Sequence, residues 1–346
     1  MVEFAKRYNC WFRTVTNKRT DALSAAMADN AVLIDTGKAN DIKFQSSVGG
    51  RPAVFLPKPQ NSNDGVKRAT AAMLEIYKEI IKDKEAKKNL LLHQVVLLKN
   101  TGIDGRNVLN RACESALIKL RVLNPPSGGG VRIRTKTDGT PFCLYIGKKI
   151  TFTKKYKSIV DKKKNVISEL VLNGEQGIVI SVKVKKKKKK RIILVEFEQP
   201  DSNKRKKVLI HRTDGIDPSH VDHGFACTTN KAQGSEWPYV IYWLEDHPGP
   251  HWTREYSYVA LSRCKTTCWV VGNKYDFYKM CESHAPRRHT LLSTFFQSWK
   301  FDPQLLVDEK TEHVSLRNFE LLELMDNGKL CSPTPKDPKK AFPVNR

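Results

Sequence analysis

The sequence predicts an α/β fold, in which a parallel sheet covered by helices carries an inserted small, basic β-barrel or β-sheet subdomain. Strand-like and helix-like patterns alternate in residues 10–122, a β pattern fills residues 123–222, and the alternation returns in residues 223–280. Residues 281–346 have the character of a helical tail with a disordered C-terminus. With 346 residues, 40% of them hydrophobic, the chain is long enough for a real core and for two domains.

The first segment alternates helices and strands. Apolar residues at helical spacing predict helices over 22–34, 65–82 and 106–120, and short apolar runs at 52–56 and 94–98 predict buried strands. This order of elements is typical of a parallel sheet.

The inserted segment begins after the Asn-Pro-Pro-Ser-Gly-Gly-Gly cluster at 124–130, which ends helices and strands alike. The β runs that follow include a turn signal at Asn173-Gly174. Residues 148–191 hold 16 Lys and Arg against 3 Asp and Glu, about half of the net charge of +25. The lysine run from Lys185 to Arg191 is interpreted as a solvated loop, a nuclear-import signal or a phosphate-contacting tongue.

The second α/β segment starts near residue 224. FACTT and YVIYWL predict strands, REYSYVALSRCK predicts a helix, and CWVVG predicts the last strand, so that Cys264 ends a helix and Cys268 opens a strand. Two further helices are predicted at 290–299 and 315–325.

Charge and cysteine content narrow the functional class. A net charge of +25 and a pI near 9.7 favour a polyanionic partner, with nucleic acid ahead of an anionic membrane surface. No run of about 18 apolar residues and no signal peptide is present in the sequence, which predicts an intracellular protein that is not secreted and has no membrane partner. The eight scattered cysteines fit reduced thiols.

One cysteine set has spacing that resembles a zinc site. Cys264, Cys268, Cys281 and His284 form C-x3-C-x12-C-x2-H. Burial of these thiols as small apolar side chains is the simpler interpretation, so no metal site is predicted.

Two motifs in the last segment indicate function. TTNKAQGSE at 228–236, followed by a strand, and YVALSRCK at 258–265, also followed by a strand, resemble motifs V and VI of superfamily 1 helicases, closest to the RecD-like branch. Upstream, TNKRT at 16–20 resembles motif IV, and LVLNGEQGIVISV resembles the inserted barrel of the family. The resemblance covers about residues 10–275 and implies a second RecA-like domain with a 2B-like insert, acting mainly on DNA.

The resemblance also implies nucleotide-binding residues. In such motors ATP lies between two RecA-like domains, and cations from the domain without the phosphate loop reach the γ-phosphate. Arg263 corresponds to the arginine finger of motif VI, and Arg19 to its counterpart in motif IV. An arginine suits this task because its planar guanidinium is always charged. Gly234 would allow close approach to the backbone, while Gln233 and Glu236 would lie beside the nucleotide.

Strand-binding residues follow from the same motif V. Thr228, Asn230 and Lys231 are expected to hold a phosphate of single-stranded DNA, with RNA as the alternative. Asn230 departs from the family, where a histidine is usual.

The motifs that would bind ATP directly are missing from the sequence. It contains no G-x-x-x-x-G-K-[ST] phosphate loop and no D-E motif for Mg²⁺. ATP and Mg²⁺ are therefore expected to be bound mainly by a partner domain, and the chain alone is expected to show little or no ATPase activity.

Four hypotheses follow. The chain is the C-terminal half of a helicase that works with a chain carrying the phosphate loop, or a nucleic-acid-binding module without catalysis. It is otherwise a scaffold subunit among replication proteins, or a remnant of a larger viral or mobile-element gene.

Overall fold

A five-stranded parallel sheet forms the centre of the α/β part of the protein. The computed structural model describes residues 22–44, 53–60, 63–128, 130–134, 141–157, 159–160, 166–187, 190–199, 202–210, 216–246 and 252–283. The strands of this sheet are β1 (Ala53–Leu56), β2 (His93–Leu97), β12 (Ala226–Thr228), β13 (Trp237–Trp243) and β14 (Cys264–Val271). Their order is β1-β14-β13-β2-β12, and every neighbouring pair is parallel.

Helices cover both faces of this sheet. In chain order they are α1 (Ala22–Asp35), α2 (Gly65–Ile80), α3 (Lys84–Lys88), α4 (Arg106–Lys119), α5 (Thr229–Ala232), α6 (Arg254–Ser262) and α7 (Lys274–Glu282), with short 3₁₀ turns at Ala39–Asp41, Leu90–Leu92 and Pro218–His220. Apolar residues of α2 and α4 pack on one face, and those of α1, α6 and α7 pack on the other. All five residues of β2 are buried, as expected for a central parallel strand covered on both sides.

The inserted segment forms a second, antiparallel sheet. Its strands run in the order β10-β9-β8-β5-β11. Their bounds are β5 (Lys149–Phe152), β8 (Gln176–Lys187), β9 (Lys190–Gln199), β10 (Ser202–Ile210) and β11 (Val221–His223). Two small ribbons accompany it, β3 (Val131–Arg134) with β4 (Pro141–Leu144), and β6 (Ile159–Val160) with β7 (Val166–Ser168). The segment has its own apolar core, which includes Phe152, Phe197 and Val221.

The predicted fold class is confirmed, since a parallel sheet with helices on both faces carries an inserted antiparallel β subdomain. The Asn173-Gly174 turn is also confirmed, with Gly174 at φ +85°. The prediction that Cys264 ends a helix is wrong, because α6 ends at Ser262 and β14 already begins at Cys264. The backbone N–H of Trp237 donates to the carbonyl of Arg263 (2.9 Å), so hydrogen bonding between β13 and β14 begins directly after the helix ends.

Two lysines of the basic insert are not on its surface. Lys148 and Lys149 are buried where the insert meets the α/β part. Lys148 donates to Glu114 of α4 (2.7 Å), and Lys149 donates to the carbonyl of His93 and the side chain of Gln94 (2.8 Å each). These side chains fasten the insert to α4 and β2.

Some sequence predictions fall outside the described residues. These are the motif IV resemblance with Arg19, the zinc-site candidate His284 and both helices predicted in the tail. Among the helices of the described ranges, none combines the length and apolar character needed to cross a bilayer.

Candidate nucleotide and nucleic-acid site

Arg263 is held at the C-terminal end of α6, where the chain turns into β14. Burial of Ala260 and Leu261 fixes the helix on the sheet. The Arg263 guanidinium donates to the Ser262 hydroxyl (3.0 and 3.3 Å), to the Val259 carbonyl (3.3 Å) and to the Ser235 carbonyl (3.4 Å). Within the described residues it forms no ion pair with a carboxylate. The side chain is therefore oriented by neutral acceptors and keeps its full positive charge available for an anion.

The turn at 233–236 lies at the same edge of the sheet as Arg263. It precedes β13, Arg263 precedes β14, and the two strands are parallel neighbours joined at their start by the Trp237–Arg263 hydrogen bond. Gly234 has φ +83°, and a Cβ built on it meets no protein atom within 4 Å. The backbone beside Gly234 therefore faces open space, which leaves room for a ligand to approach it closely.

Glu236 and Gln233 flank this glycine. Glu236 pairs with Lys265 of β14 (3.1 Å), with both side chains nearly half exposed. Such an exposed pair contributes little to stability, so an incoming ligand can displace it at small cost. Gln233 ends α5 and is exposed.

A cleft of about 650 Å³ opens between the α/β part and the insert. Lys231, the turn from Gly234 to Pro238, and Lys265 line it from the α/β side. Thr151 and the turn from Gly174 to Gln176 line it from the insert side, so that the N-G-x-x-G turn of the insert faces motif V. The cleft is large enough for a mononucleotide-sized ligand.

The short helix α5 carries the strand-binding candidates. Asn230 and Lys231 are exposed, whereas Thr228 is buried, ends β12 and pairs with Leu97 at the opposite end of the strands from Arg263. Lys231 reaches solvent, yet partial burial lowers its pKa, the Arg106 guanidinium lowers it further, and the Asp222 carboxylate opposes the change. Among the described residues, Lys231 has no carboxylate within ion-pair distance.

No sequence pattern predicts the buried ion pair beside the cleft. Arg106, the first residue of α4, donates to Asp222 of β11 (2.7 Å), and both side chains are 3% exposed. Cys227 also lines the cleft, but burial raises its pKa to about 11, so its thiol stays protonated and unreactive. Arg106 and Asp222 are 116 residues apart in the sequence, and only the fold brings them together.

The structure thus brings Arg263, Gln233, Gly234 and Glu236 to one edge of the sheet, with Lys231 in the adjoining cleft. Thr228 is not among the residues that line the cleft. Among the tryptophans of the α/β part, Trp237 lines the cleft, while Trp243 and Trp252 are buried in the core.

The cysteine set is part of the core beneath α6. Cys264, Cys268 and Cys281 are buried there, and the Cys264 thiol donates to the carbonyl of Pro238 (3.5 Å). In the part of the chain that the structure describes, no three His, Cys, Asp or Glu side chains are arranged to hold a metal ion.

Comparison with known proteins finds a family model that matches the same segment. Residues 223–271 match the UvrD-like helicase C-terminal domain, and this range contains α5, the 233–236 turn, α6 and Arg263. No curated protein sequence shows significant similarity to the chain.

Solved structures with a distant likeness are Pif1 helicases. Pif1 from Candida albicans shares 15% identity over 66% of this chain and 56% of its own, with a TM-score of 0.34. Pif1 from Bacteroides in complex with ADP-AlF3 and single-stranded DNA shares 13% identity over 78% of this chain and 55% of its own, with a TM-score of 0.26. The chain therefore spans about half the length of these helicases.

Proposed function

We propose that this chain supplies the second motor domain of a superfamily 1 DNA helicase, the domain that lacks the phosphate loop and acts on ATP bound by another domain or chain. One observation carries the proposal. Arg263 is oriented by neutral acceptors at the sheet edge where Gly234 leaves the backbone open, inside the segment that matches the helicase family.

The residues at this edge fit the outer side of a nucleotide. A guanidinium without a carboxylate partner is suited to the charge that develops on a transferred phosphoryl group. Bound ATP with Mg²⁺ would supply the phosphoryl group and neutralise part of its charge. Arg263 would contact that group, Ser262 would fix the direction of the guanidinium, and the open backbone at Gly234 with Gln233 and Glu236 would lie along the nucleotide.

The cleft fits the nucleic-acid strand. The Lys231 ammonium is positioned for a phosphate, and Trp237, Pro238 and Leu92 give the cleft an apolar wall. Single-stranded DNA is the substrate that the RecD-like motifs favour, with RNA as the alternative. An intracellular location, a role in replication or repair and a viral origin belong to this proposal as well.

A mixing experiment tests the catalytic part. The phosphate-loop half is sought in the coding sequence that adjoins this chain and by co-purification. The chain alone should hydrolyse ATP only at background, and the mixture should show ATPase activity stimulated by single-stranded DNA. Arg263→Ala should lower kcat of the mixture by about 10³-fold or more, the scale expected for an arginine finger.

Arg111→Ala is the matched control, since Arg111 is an exposed arginine on α4 that is not among the residues lining the cleft. It should leave kcat unchanged. A steady Mg²⁺-dependent ATPase from the purified chain alone, abolished by Arg263→Ala, would contradict the proposal. So would a mixture in which Arg263→Ala keeps wild-type kcat.

A second candidate function is a nucleic-acid-binding or scaffold subunit without catalysis. The missing phosphate loop and the polar cleft between the two sheets favour it. In that case strand binding should be independent of ATP, and Arg263→Ala should leave it intact at every nucleotide concentration. A loss of strand affinity on adding ATP analogues to the mixture, absent in Arg263→Ala, would exclude this candidate.

A further inference from the structure

The lysine run of the insert forms an extended β-ribbon. Strands β8 and β9 pair from Ile178 opposite Glu198 to Lys187 opposite Lys190, with one register shift between Val179 and Ser181. The neighbouring strand β10 pairs with β9 only as far as Ile210 opposite Ile193. In the described residues, the segments 185–187 and 190–192 therefore pair only with each other, and we call them the basic ribbon.

The apolar core ends where the basic ribbon begins. Ile193 is 4% exposed, whereas its partner Val184 is 42% exposed. Residues 185–187, 190 and 191 are all Lys or Arg, and none of the residues in the ribbon is aromatic or acidic. Its backbone is thus extended and paired, and five of its six residues are basic.

Different parts of the same sheet pair charged residues differently. In the register of β9 and β10, residues of opposite charge are partners, Lys207 with Glu196 and Arg205 with Glu198. In the ribbon, like charges stand opposite each other, Lys186 with Arg191 and Lys187 with Lys190. Directly opposed like charges destabilise a β-pair. The register partners in the ribbon therefore do not combine opposite charges, as the β9–β10 partners do.

We propose that the basic ribbon is a docking element for double-stranded nucleic acid, and that the phosphates of the duplex supply the missing counter-charge. A two-stranded ribbon has the dimensions that a major groove of B-form DNA admits. Lysines contact phosphates as point charges, so the docking is independent of sequence. A single strand is a poorer fit, because single-strand binding relies on aromatic stacking platforms and the ribbon has no aromatic residue.

This surface is separate from the cleft and from Arg263. The proposed function places a single strand at Lys231, whereas the ribbon would hold the duplex. Docking does not require ATP or a partner chain, so a failure of the catalytic proposal leaves this one testable.

The test uses the full chain and two five-residue variants that remove the same charge. The ribbon variant is K185Q/K186Q/K187Q/K190Q/R191Q, and the control variant is K78Q/K82Q/K84Q/K87Q/K88Q, whose lysines are exposed on and around α2 and α3. Affinity is measured by fluorescence anisotropy for a duplex of about 24 base pairs and for a single strand of the same length, between about 50 and 200 mM salt.

The ribbon variant should lose about 10²-fold or more in duplex affinity at low salt, and the slope of log K against log salt should fall by up to about 4.5, or roughly 0.9 for each lost phosphate contact. The control variant should change duplex affinity less than about threefold, and single-strand affinity of the ribbon variant should change far less than its duplex affinity. Equal losses in both variants, or equal losses for duplex and single strand, would overturn the proposal.

A second measurement does not depend on the variants folding. In the wild-type chain, hydrogen exchange of the ribbon amides should slow when duplex is added, and absence of this protection would refute docking. The proposal also fails if the ribbon charges are needed for binding to anionic vesicles or to a nuclear-import receptor while duplex binding is unaffected.

Discussion

Lys149 places an amine in the interior, and no carboxylate of the described residues forms an ion pair with it. Its ammonium group is fully buried and donates to the neutral oxygens of His93 and Gln94. Burial lowers the pKa of Lys149 to about 7. The buried thiols of Cys113 and Cys227 cannot supply a counter-charge near neutral pH, because burial raises the pKa of Cys113 to about 12 and that of Cys227 to about 11. Lys149 therefore loses its proton in the folded protein far more easily than in the unfolded chain.

This difference predicts a stability that rises with pH. Between about 7 and the ordinary value of 10.5, the unfolded chain binds the Lys149 proton and the folded chain does not, so the free energy of unfolding should increase with pH. The slope from this group is at most about 1.4 kcal/mol per pH unit. Urea unfolding between pH 7 and about 9 measures it. Lys149→Met should remove this part of the slope, while the exposed Lys87→Met should retain it. An unchanged slope in Lys149→Met would contradict the assignment.

Lys231 provides the residue-scale test of the cleft. Lys231→Gln removes one ammonium group that has no carboxylate partner within the described residues, so it should weaken single-strand binding about three- to tenfold at low salt. The salt slope should fall by about 0.7, the value for one contact to a single strand. Anisotropy titrations at several salt concentrations give both quantities. Lys38→Gln, an exposed lysine that follows α1, serves as the control, and an equal effect of the two changes would exclude a specific role for Lys231.

At the element scale, buried polar contacts join the insert to α4 and β2. Arg106 pairs with Asp222, and Lys148 pairs with Glu114, which also accepts from the Tyr145 hydroxyl (2.6 Å). The Lys148 ammonium also lies 4.5 Å from the centre of the Phe142 ring. Such pairs specify one arrangement, because removal of one partner leaves a buried charge uncompensated.

Breaking the Arg106–Asp222 pair should therefore be costly. Either Arg106→Met or Asp222→Leu should lower the free energy of unfolding by about 3–5 kcal/mol, and the double variant should lose less than the sum of the two. Urea unfolding of the four proteins in the cycle measures the coupling. Lys82→Met, which breaks the exposed pair with Glu79, should cost less than about 1 kcal/mol. Strict additivity in the cycle would show that the two side chains are not coupled.

Sequence patterns predicted the secondary-structure elements better than they predicted the tertiary contacts. The run HQVVL and the helix-spaced residues of α2 and α4 are local signals, and the structure has them within about two residues of the predicted bounds. Short motifs, which are also local signals, predicted Arg263 and Gly234 as site residues. Burial of Lys148 and Lys149, and the Arg106–Asp222 pair beside the cleft, depend on segments far apart in the chain. No local pattern encodes such contacts, because a lysine in a basic run is predicted to be exposed unless its neighbours in the folded structure are known.

At the scale of the whole molecule, hydrogen bonds link the antiparallel sheet of the insert to the parallel sheet. Gly224 donates its N–H to the carbonyl of Lys149 (3.1 Å), and Gln94 donates to the carbonyl of Phe225 (3.0 Å), so the backbone of the insert continues into the parallel sheet. Tryptophans are absent from residues 123–222, and Trp237, Trp243, Trp252 and Trp269 are all buried in the α/β part. With Trp11 and Trp299, which lie outside the described residues, replaced by Phe, tryptophan fluorescence therefore reports on the α/β part.

This arrangement predicts a single unfolding transition. Tryptophan fluorescence and far-UV circular dichroism should give coincident urea midpoints, because the buried contacts that attach the insert are made to β2 and α4 and are lost when these elements unfold. Asp222→Leu should separate the two signals by loosening the insert. A wild-type protein in which the dichroism of the β subdomain persists after the fluorescence transition would show that the insert folds on its own.

The strand order has a consequence for synthesis of the protein. The edge strand β1 pairs only with β14 among the described strands, and Ala53 and its partner Cys268 are separated by more than 200 residues. At ordinary translation rates, roughly 10–40 s pass between the emergence of one strand and of the other. During that time the insert, whose strands β8, β9 and β10 are joined by short connections, can already form its hairpins. The apolar strand Ala53–Leu56 meanwhile leaves the ribosome without its neighbour, so its edge stays unpaired until the residues of β14, up to residue 271, have been added.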